Sequence, residues 1–359
     1  MEDAEAEQRV LSGQFQVRYI RYLDVVKPLI RSLVGIGLAL FVFGIFLAIT
    51  SRNPIIIYAN LFSYTFGSTA GLSEVGVLMI PFVLTGLAAT IPARVGLINV
   101  GGQGQLYLGA WAATGVALYS NIDSIWLMLP AMAIVGSLGG ALWAAIPTCL
   151  RQWRDVNEVI STLLLNFVAG LFVNIFVFGP WKSSGSYGYP YTPNFSAAAT
   201  LPSIGSTRLH QGFIVPLLAV TACYFVFGRT TWGYNMRAVG GNVNAAVRRG
   251  IPVTRYIVVA MLTGGAIAGL AGMIEAAGIH HHLRPDINLQ FGTMGFLASW
   301  LAGHDPVVLL GTTFLLSSIM VGGDLLQISA NFPSAGIYIL IGLVFFCVLG
   351  FRRLRVGAK

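Results

Sequence analysis

Charge is what this sequence has least of. Only 34 of its 359 residues are Asp, Glu, Lys or Arg, and 13 of those are acidic. An ordinary soluble domain keeps roughly a quarter of its residues charged, so the shortage excludes that class. Cysteine is rare too: Cys149, Cys223 and Cys347 are the whole supply, and each lies inside an apolar run. They offer neither a disulfide framework nor metal-ligand spacing. Lysine occurs only at Lys27, Lys182 and Lys359, preceded by Val, Trp and Ala. A P-loop needs Gly-Lys-Ser/Thr, so this chain does not hydrolyse ATP by that route. No His-Glu-x-x-His pair is present, nor a Gly-x-Ser-x-Gly elbow after a strand. The run His280-His281-His282 is no metal site by this reading, because three consecutive side chains on a helix cannot all face one ion.

What fills the chain is apolar. Hydrophobic residues make up 56% of it, mean hydropathy is +0.76, and about ten long runs recur. A helix needs roughly 20 such residues to cross the ~30 Å hydrocarbon core. The sequence predicts an all-α polytopic membrane protein of about ten transmembrane helices, whose work is transport, sensing or intramembrane chemistry. The runs are Leu33–Ile49, Val75–Ile91, Val100–Leu118, Trp126–Leu150, Val159–Phe178, Gly212–Phe227, Tyr256–Gly278, Leu289–Leu301, Val307–Val321 and Ala335–Leu349. The eighth is too short to cross alone, so it is a half-helix or starts earlier. The first is too long for a signal peptide's core and lacks a cleavage site, so it reads as an uncleaved span.

Placing the basic residues orients the chain. With the N-terminus inside, 17 of the 21 Lys and Arg fall in inner segments, leaving Arg52, Lys182, Arg208 and Arg284 outside. Basic residues collect on the cytoplasmic face, so the net charge of +8 marks a membrane face and not a nucleic-acid partner. Residues 33–351 form the transmembrane domain, between cytoplasmic tails 1–32 and 352–359. Segment 179–210 becomes an extracytoplasmic loop rich in Gly, Ser, Pro and Tyr. Segment 233–251 lies in an inner loop that carries no Asp or Glu.

Parts of the chain also repeat. Gly86-Leu87-Ala88-Ala89-Thr90-Ile91 is similar to Gly269-Leu270-Ala271-Gly272-Met273-Ile274, and the separation from Ile98-Asn99 to Trp111 equals that from Ile287-Asn288 to Trp300. Pro130 precedes Asn157, and Pro306 precedes Pro333, by the same 27 residues. Runs two to five thus pair with runs seven to ten in opposite orientation. Such inverted repeats accompany solute sites near the bilayer midplane.

Inside the membrane the polar residues are mostly amides. Asn99-Val100-Gly101-Gly102-Gln103-Gly104-Gln105 places three amides and three glycines at the start of a run. This predicts a discontinuous helix with Asn99, Gln103 and Gln105 on a polar path; tight packing with amides bonded to neighbouring backbone is the alternative. A dinucleotide fingerprint fails, because Tyr107 holds the position of its last glycine. A second cluster holds Asp155, Asn157, Glu158 and, deeper, Asn166. Asp155 can cap the helix that follows, with Glu158 completing a capping box. Asn157, Glu158 and Asn166 are otherwise candidates for the path. Glu275, near an outer end, can pair with His280 or Arg284. In the inner loop, Asn242 or Asn244 can cap a short helix ended by Gly250. Such a helix docks a soluble partner or anchors the chain to lipid head groups.

Taken together, GLINVGGQGQLYLGA, DVNEVISTLLLNF, FGPWK, GYNMRAVGGNVNAAVRRGI, GGAIAGLAGMIEAAG and VGGDLLQ resemble the permease subunits of ATP-binding cassette importers of the branched-chain amino acid, ribose and nucleoside class. The likeness runs from about Val75 to Phe351. Asn-Glu-Val-Ile-Ser-Thr with Gly179-Pro180-Trp181-Lys182 is most similar to the nucleoside or simple-sugar branch. The resemblance implies that Gly233–Ile251 is a coupling helix seated on the ATPase, with Arg237, Ala238, Gly240, Asn244, Ala245 and Ala246 in contact. It also implies a cassette ATPase, a second permease chain, identical or paralogous, and an extracytoplasmic binding protein, with membrane lipid around and no cofactor. Gln103 stands where the family often has an acid. Two competing readings are a secondary transporter of small polar solutes, which needs an ion site among Glu275, Glu158 and Asp324, and an intramembrane transferase.

Overall fold

The apolar runs become helices because a backbone without water must satisfy its own N–H and C=O groups. The computed structural model describes residues 30–186, 188–285 and 290–353. Most of both tails, and the Ile287-Asn288 pair of the repeat, lie outside the described residues. In chain order the helices are α1 Ile30–Ile49, α2 Pro54–Phe66, α3 Thr69–Ala93, α4 Gly102–Tyr119, α5 Ile125–Arg154, α6 Glu158–Phe178, α7 Ile214–Arg229, α8 Thr231–Gly241, α9 Val243–Arg248, α10 Val253–Glu275, α11 Phe291–Ala302, α12 Pro306–Ala330 and α13 Ser334–Arg353. The described residues hold no strand, only an isolated bridge between Ser203 and His210. The all-α membrane fold is as expected.

Among the described residues eight helices are long and apolar enough to cross a membrane: α1, α3, α5, α6, α7, α10, α12 and α13. The two other runs hold α4, whose first turns carry Gln103 and Gln105, and α11, only 12 residues long. At 1.5 Å per residue α11 spans about 18 Å, a half-helix in length.

The chain divides into two compact units. Of the described residues, the first joins 30–61 with 323–353. Its centre is Phe43 of α1, fully buried against Phe46, Tyr58 and Phe332. Tyr58 donates its hydroxyl proton to the Leu40 carbonyl at 2.5 Å. α2 was not expected: its 13 residues fall in a segment that reads as a loop after the first run. Asn53 starts it by accepting the Ile55 and Ile56 N–H groups.

The second unit, Phe62–Gly322, carries the site. Here α10 packs on α3, α4 and α5, α4 packs also on α5 and α6, and α11 packs on α3. Small residues make the crossings close: a Cβ on Gly269 would lie 2.3 Å from the Gly136 carbonyl. In lipid, where apolar side chains gain nothing by clustering, such backbone approach is what joins helices. Over its most apolar stretch α3 is 83% buried and α5 and α6 only 22%, so α3 is interior and the other two face outward.

Candidate functional site

α4 starts inside the unit, not at its surface. The chain leaves α3, turns at Gly96 (φ +83°), and reaches Gly102 through an irregular segment. Irregular backbone away from water needs a hydrogen-bond partner for each N–H and C=O, and the amides supply them. Asn99 and Gln105 pair reciprocally, both contacts at 3.1 Å. Asn99 also donates to the Ala88 carbonyl and accepts the Gly101 N–H. Asn166 of α6 accepts the Gly104 N–H at 2.8 Å and donates to the Val100 carbonyl at 3.0 Å. Thr162, one turn earlier, accepts the Val100 N–H at 3.3 Å. Gln103 reaches the other half of the unit, where its Oε1 accepts the Gly292 N–H at 2.6 Å. The first turns of α4 and α11 therefore meet, with Thr85 of α3 donating to the Phe291 carbonyl beside them. Helix N-termini carry partial positive charge, and two of them here share one Gln oxygen's neighbourhood.

The six residues expected on a path separate. Asn99, Gln103 and Gln105 are buried, Asn166 is half-buried, and all four brace the start of α4. Asn157 is exposed and caps α6 through the Val159 N–H at 2.8 Å. Glu158 is 9% exposed; it accepts the Ile98 N–H at 3.4 Å and lies 3.6 Å from Arg151 Nε. The expected capping box does not form. Asp155 is left-handed (φ +52°) and ends α5, so the chain reversal consumes it and the cap passes to Asn157. Two participants gave no distinct sequence signal: Thr162, one of two adjacent hydroxyls in an apolar helix, and Gly292, whose partner is 189 residues away.

At this same end the inner loop folds as two short helices. Asn242 caps α9 by accepting the Ala245 N–H at 3.0 Å, and Gly250 (φ +74°) follows its end. Arg237, Asn244 and Ala245 are exposed, Ala238 is half-buried and Ala246 is buried. Val243 and Val247, 48% and 58% exposed, put apolar surface beside Arg248 and Arg249. Arg237 donates to the Phe227 carbonyl. Gly240 lies against the turn after α3: a Cβ there would come within 2.5 Å of the Arg94 carbonyl. Arg94 in turn stacks over Phe227 at 4.9 Å and donates to the His304 carbonyl at 2.7 Å. Burial pushes the Arg94 guanidinium below its usual range, with Asp305 opposing. One turn of backbone thus touches α8 on one side and leads into the amide cluster on the other.

At the opposite end, Glu275 Oε1 lies 3.5 Å from His280 Nε2, the first of its two expected partners. The described residues contain no group of three His, Cys, Asp or Glu able to hold a metal ion.

A model of the family described as the permease component of branched-chain amino acid transport systems matches residues 71–349. The chain belongs to that family. This permease is 34% identical over 333 residues to the glucose ABC transporter permease protein TsgB13 of Haloferax volcanii, covering 89% of this chain and 87% of the relative. It is 28% identical over 348 residues to the guanosine ABC transporter permease protein NupP of Bacillus subtilis, covering 93% and 96%. It is 27% identical over 341 residues to the nucleoside ABC transporter permease protein NupB of Lactococcus lactis subsp. cremoris, covering 91% of each. No solved structure matches it.

Proposed function

We propose that this permease forms the translocation path of an ATP-binding cassette importer for nucleosides or related simple sugars, delivered by an extracytoplasmic binding protein. A separate cassette ATPase supplies the energy, and a second permease, identical or paralogous, completes the path. Both termini are cytoplasmic, in the plasma membrane of a bacterium, with α8 and α9 on the cytoplasmic side and segment 179–210 outside. α8 and α9 dock the ATPase through Arg237, Ala238, Asn244 and Ala245, with Gly240 seated on the Arg94 turn and Ala246 packed beneath the surface.

The observation that carries this reading is the contact of Gly240 with the Arg94–Gly96 turn. It places an exposed, basic, apolar-tipped pair of short helices directly against the backbone that enters the amide cluster. Movement of a docked partner would be felt at Ile98 and Asn99 without passing through a flexible linker. Asn99, Gln103, Gln105, Glu158 and Asn166 then serve the path by holding its wall, and Asn157 by capping α6 beside it. The inverted repeat belongs to this proposal. The starts of α4 and α11 differ by 291 − 102 = 189 positions, and Trp300 and Trp111 by 300 − 111 = 189. Gln103 and Gly292, which bond to each other, share that offset, as two residues beside a two-fold axis would.

The test is reconstitution. The complete set, this permease with its paralogue where there is one, the ATPase and the binding protein, should in proteoliposomes accumulate labelled guanosine or glucose only with ATP in the cytoplasmic-side compartment. Concentrative uptake by the permease alone, driven by a proton or sodium gradient, would replace this reading by that of a secondary transporter.

A further inference from the structure

The last turns of α5 carry a groove on the outward side of the second unit. They lie at the same end as α8, because Glu158 bonds the Ile98 N–H and Gly240 rests on the turn just before it. Two rows of side chains line the groove: Ala145, Cys149 and Trp153 in one, Ile146, Leu150 and Arg154 in the other. Each row is spaced at i, i+4, the spacing that keeps side chains on one helix face. The groove measures about 410 Å³. From Ala145 to Arg154 it follows 154 − 145 = 9 residues of α5, about 14 Å at 1.5 Å per residue. That is about half of the ~30 Å hydrocarbon core, the depth of one leaflet. Its wall is apolar until the last turn, where it ends in a guanidinium.

Two observations say what fits it. Arg154 is exposed, and among the described residues it has neither an ion pair nor a hydrogen bond from its side chain. The neighbouring carboxylates are taken by Arg151, which lies 3.2 Å from Asp155 and 3.6 Å from Glu158. Trp153, beside Arg154, is 79% exposed, so its ring stands clear of the helix as one wall of the groove. An indole at the end of a span sits at head-group depth. The occupant therefore needs an apolar chain for the wall and a negative group for the mouth. A soluble anion lacks the first, and an ordinary apolar helix lacks the second. A phospholipid with net negative charge has both, in the order in which the groove presents them.

We propose that this groove holds one anionic phospholipid of the cytoplasmic leaflet. An acyl chain lies along Ile146, Cys149 and Leu150, and the phosphate pairs with the Arg154 guanidinium beside the Trp153 ring. Arginine suits phosphate because its planar N–H fork donates two parallel hydrogen bonds. Anionic lipids also concentrate in the cytoplasmic leaflet, where basic side chains attract them. Phosphatidylcholine offers the same chains and phosphate, but its choline cancels the charge. A preference for phosphatidylglycerol over phosphatidylcholine thus reads the arginine, and label position reads the groove. The inference rests on the reading of this end of α5 as cytoplasmic.

The experiment is photolabelling of the full-length permease in lipid nanodiscs, using phosphatidylglycerol with a diazirine in its acyl chain, followed by mapping of the labelled peptides. Label is expected to concentrate on peptides holding Ile146, Cys149 and Leu150. Unlabelled phosphatidylglycerol should displace it about fivefold better than phosphatidylcholine, the preference that one basic side chain near the surface gives. Arg154→Gln should erase that difference, and Arg154→Lys should keep it; the position is exposed, so neither change disturbs the fold. Cys149→Trp fills the groove and should lower label on these peptides severalfold, with label elsewhere unchanged. Label spread evenly over the outward faces of α5 and α6, or equal displacement by the two lipids, overturns the proposal. So does cross-linking of these peptides to a second permease chain, which would make the groove a protein interface. Labelling needs neither ATP nor uptake, so the importer reading stands or fails separately, and protease access to the termini tests the orientation by itself.

Discussion

A single side chain, Asn166, serves both the Gly104 N–H and the Val100 carbonyl. On the sequence alone, a leucine at this position in a spanning helix would be harmless. With two backbone groups left unpaired, Asn166→Leu should instead cost about 2–3 kcal/mol. A lower melting temperature of the purified permease checks this, and unchanged melting would mean that water or lipid replaces both bonds. Gly240 likewise acts through what it lacks. Gly240→Ala introduces a methyl 2.5 Å from the Arg94 carbonyl, so even this small change should separate α8 from the turn and cut uptake severalfold. Ala245 is exposed, so Ala245→Glu is the variant that reads the ATPase surface, measured as lost co-purification with normal folding. His210, just outside the spanning part of α7, is held to a pKa of about 4 by burial, with His281 adding to the effect. Its folded-state pKa lies below the ordinary 6.5, so acid favours the unfolded chain. Stability should be intact above pH 6.5 and fall as pH drops toward 4. In melting curves at pH 7.5 and 5, His210→Gln should lose less on acidification than the wild type; an equal loss would assign the acid sensitivity elsewhere.

Among the elements, α4 departs most from a simple membrane helix. Its first turns are too polar to face lipid, yet Gln103, Gln105 and most of the residues after them are buried, because α5, α6 and α10 surround it. The amide-rich start was legible as a discontinuous helix from composition: three glycines and three amides cannot continue an apolar run. What the amides bond to was not legible, since Ala88, Asn166 and Gly292 arrive from three other helices. α2 escaped notice because Tyr58, Asn60, Ser63 and Tyr64 interrupt its 13 residues, and a short mixed run has no clear period. α9 has only six residues and depends on its cap. Asn242→Ala removes the acceptor for the Ala245 N–H and should cost the helix about 1 kcal/mol. The expected readout is weaker ATPase co-purification with the membrane part unchanged.

For the whole molecule the positive-inside split remains the argument for orientation. Tags at the two termini should both be cut by protease only after the cytoplasmic side is opened; cleavage from outside would reverse the assignment of α8 and α9. Membership in a permease family agrees with the absence of any phosphate-binding lysine motif, so the purified chain alone should hydrolyse no ATP.

Composition and periodicity by themselves determined that the chain is an all-α membrane protein, because about twenty consecutive apolar residues in helical form have few stable places outside a bilayer. They pointed to a short capped helix between α7 and α10 too, because an Asn cap and a Gly stop are local chemistry. Tertiary structure alone decided which polar residues meet. Gln103 with Gly292, Gly104 with Asn166, and Trp111 with Phe172 join helices distant in sequence. A tryptophan inside an apolar run looks the same whether it anchors the span or packs against another helix, and only its neighbours across the helix interface distinguish these roles.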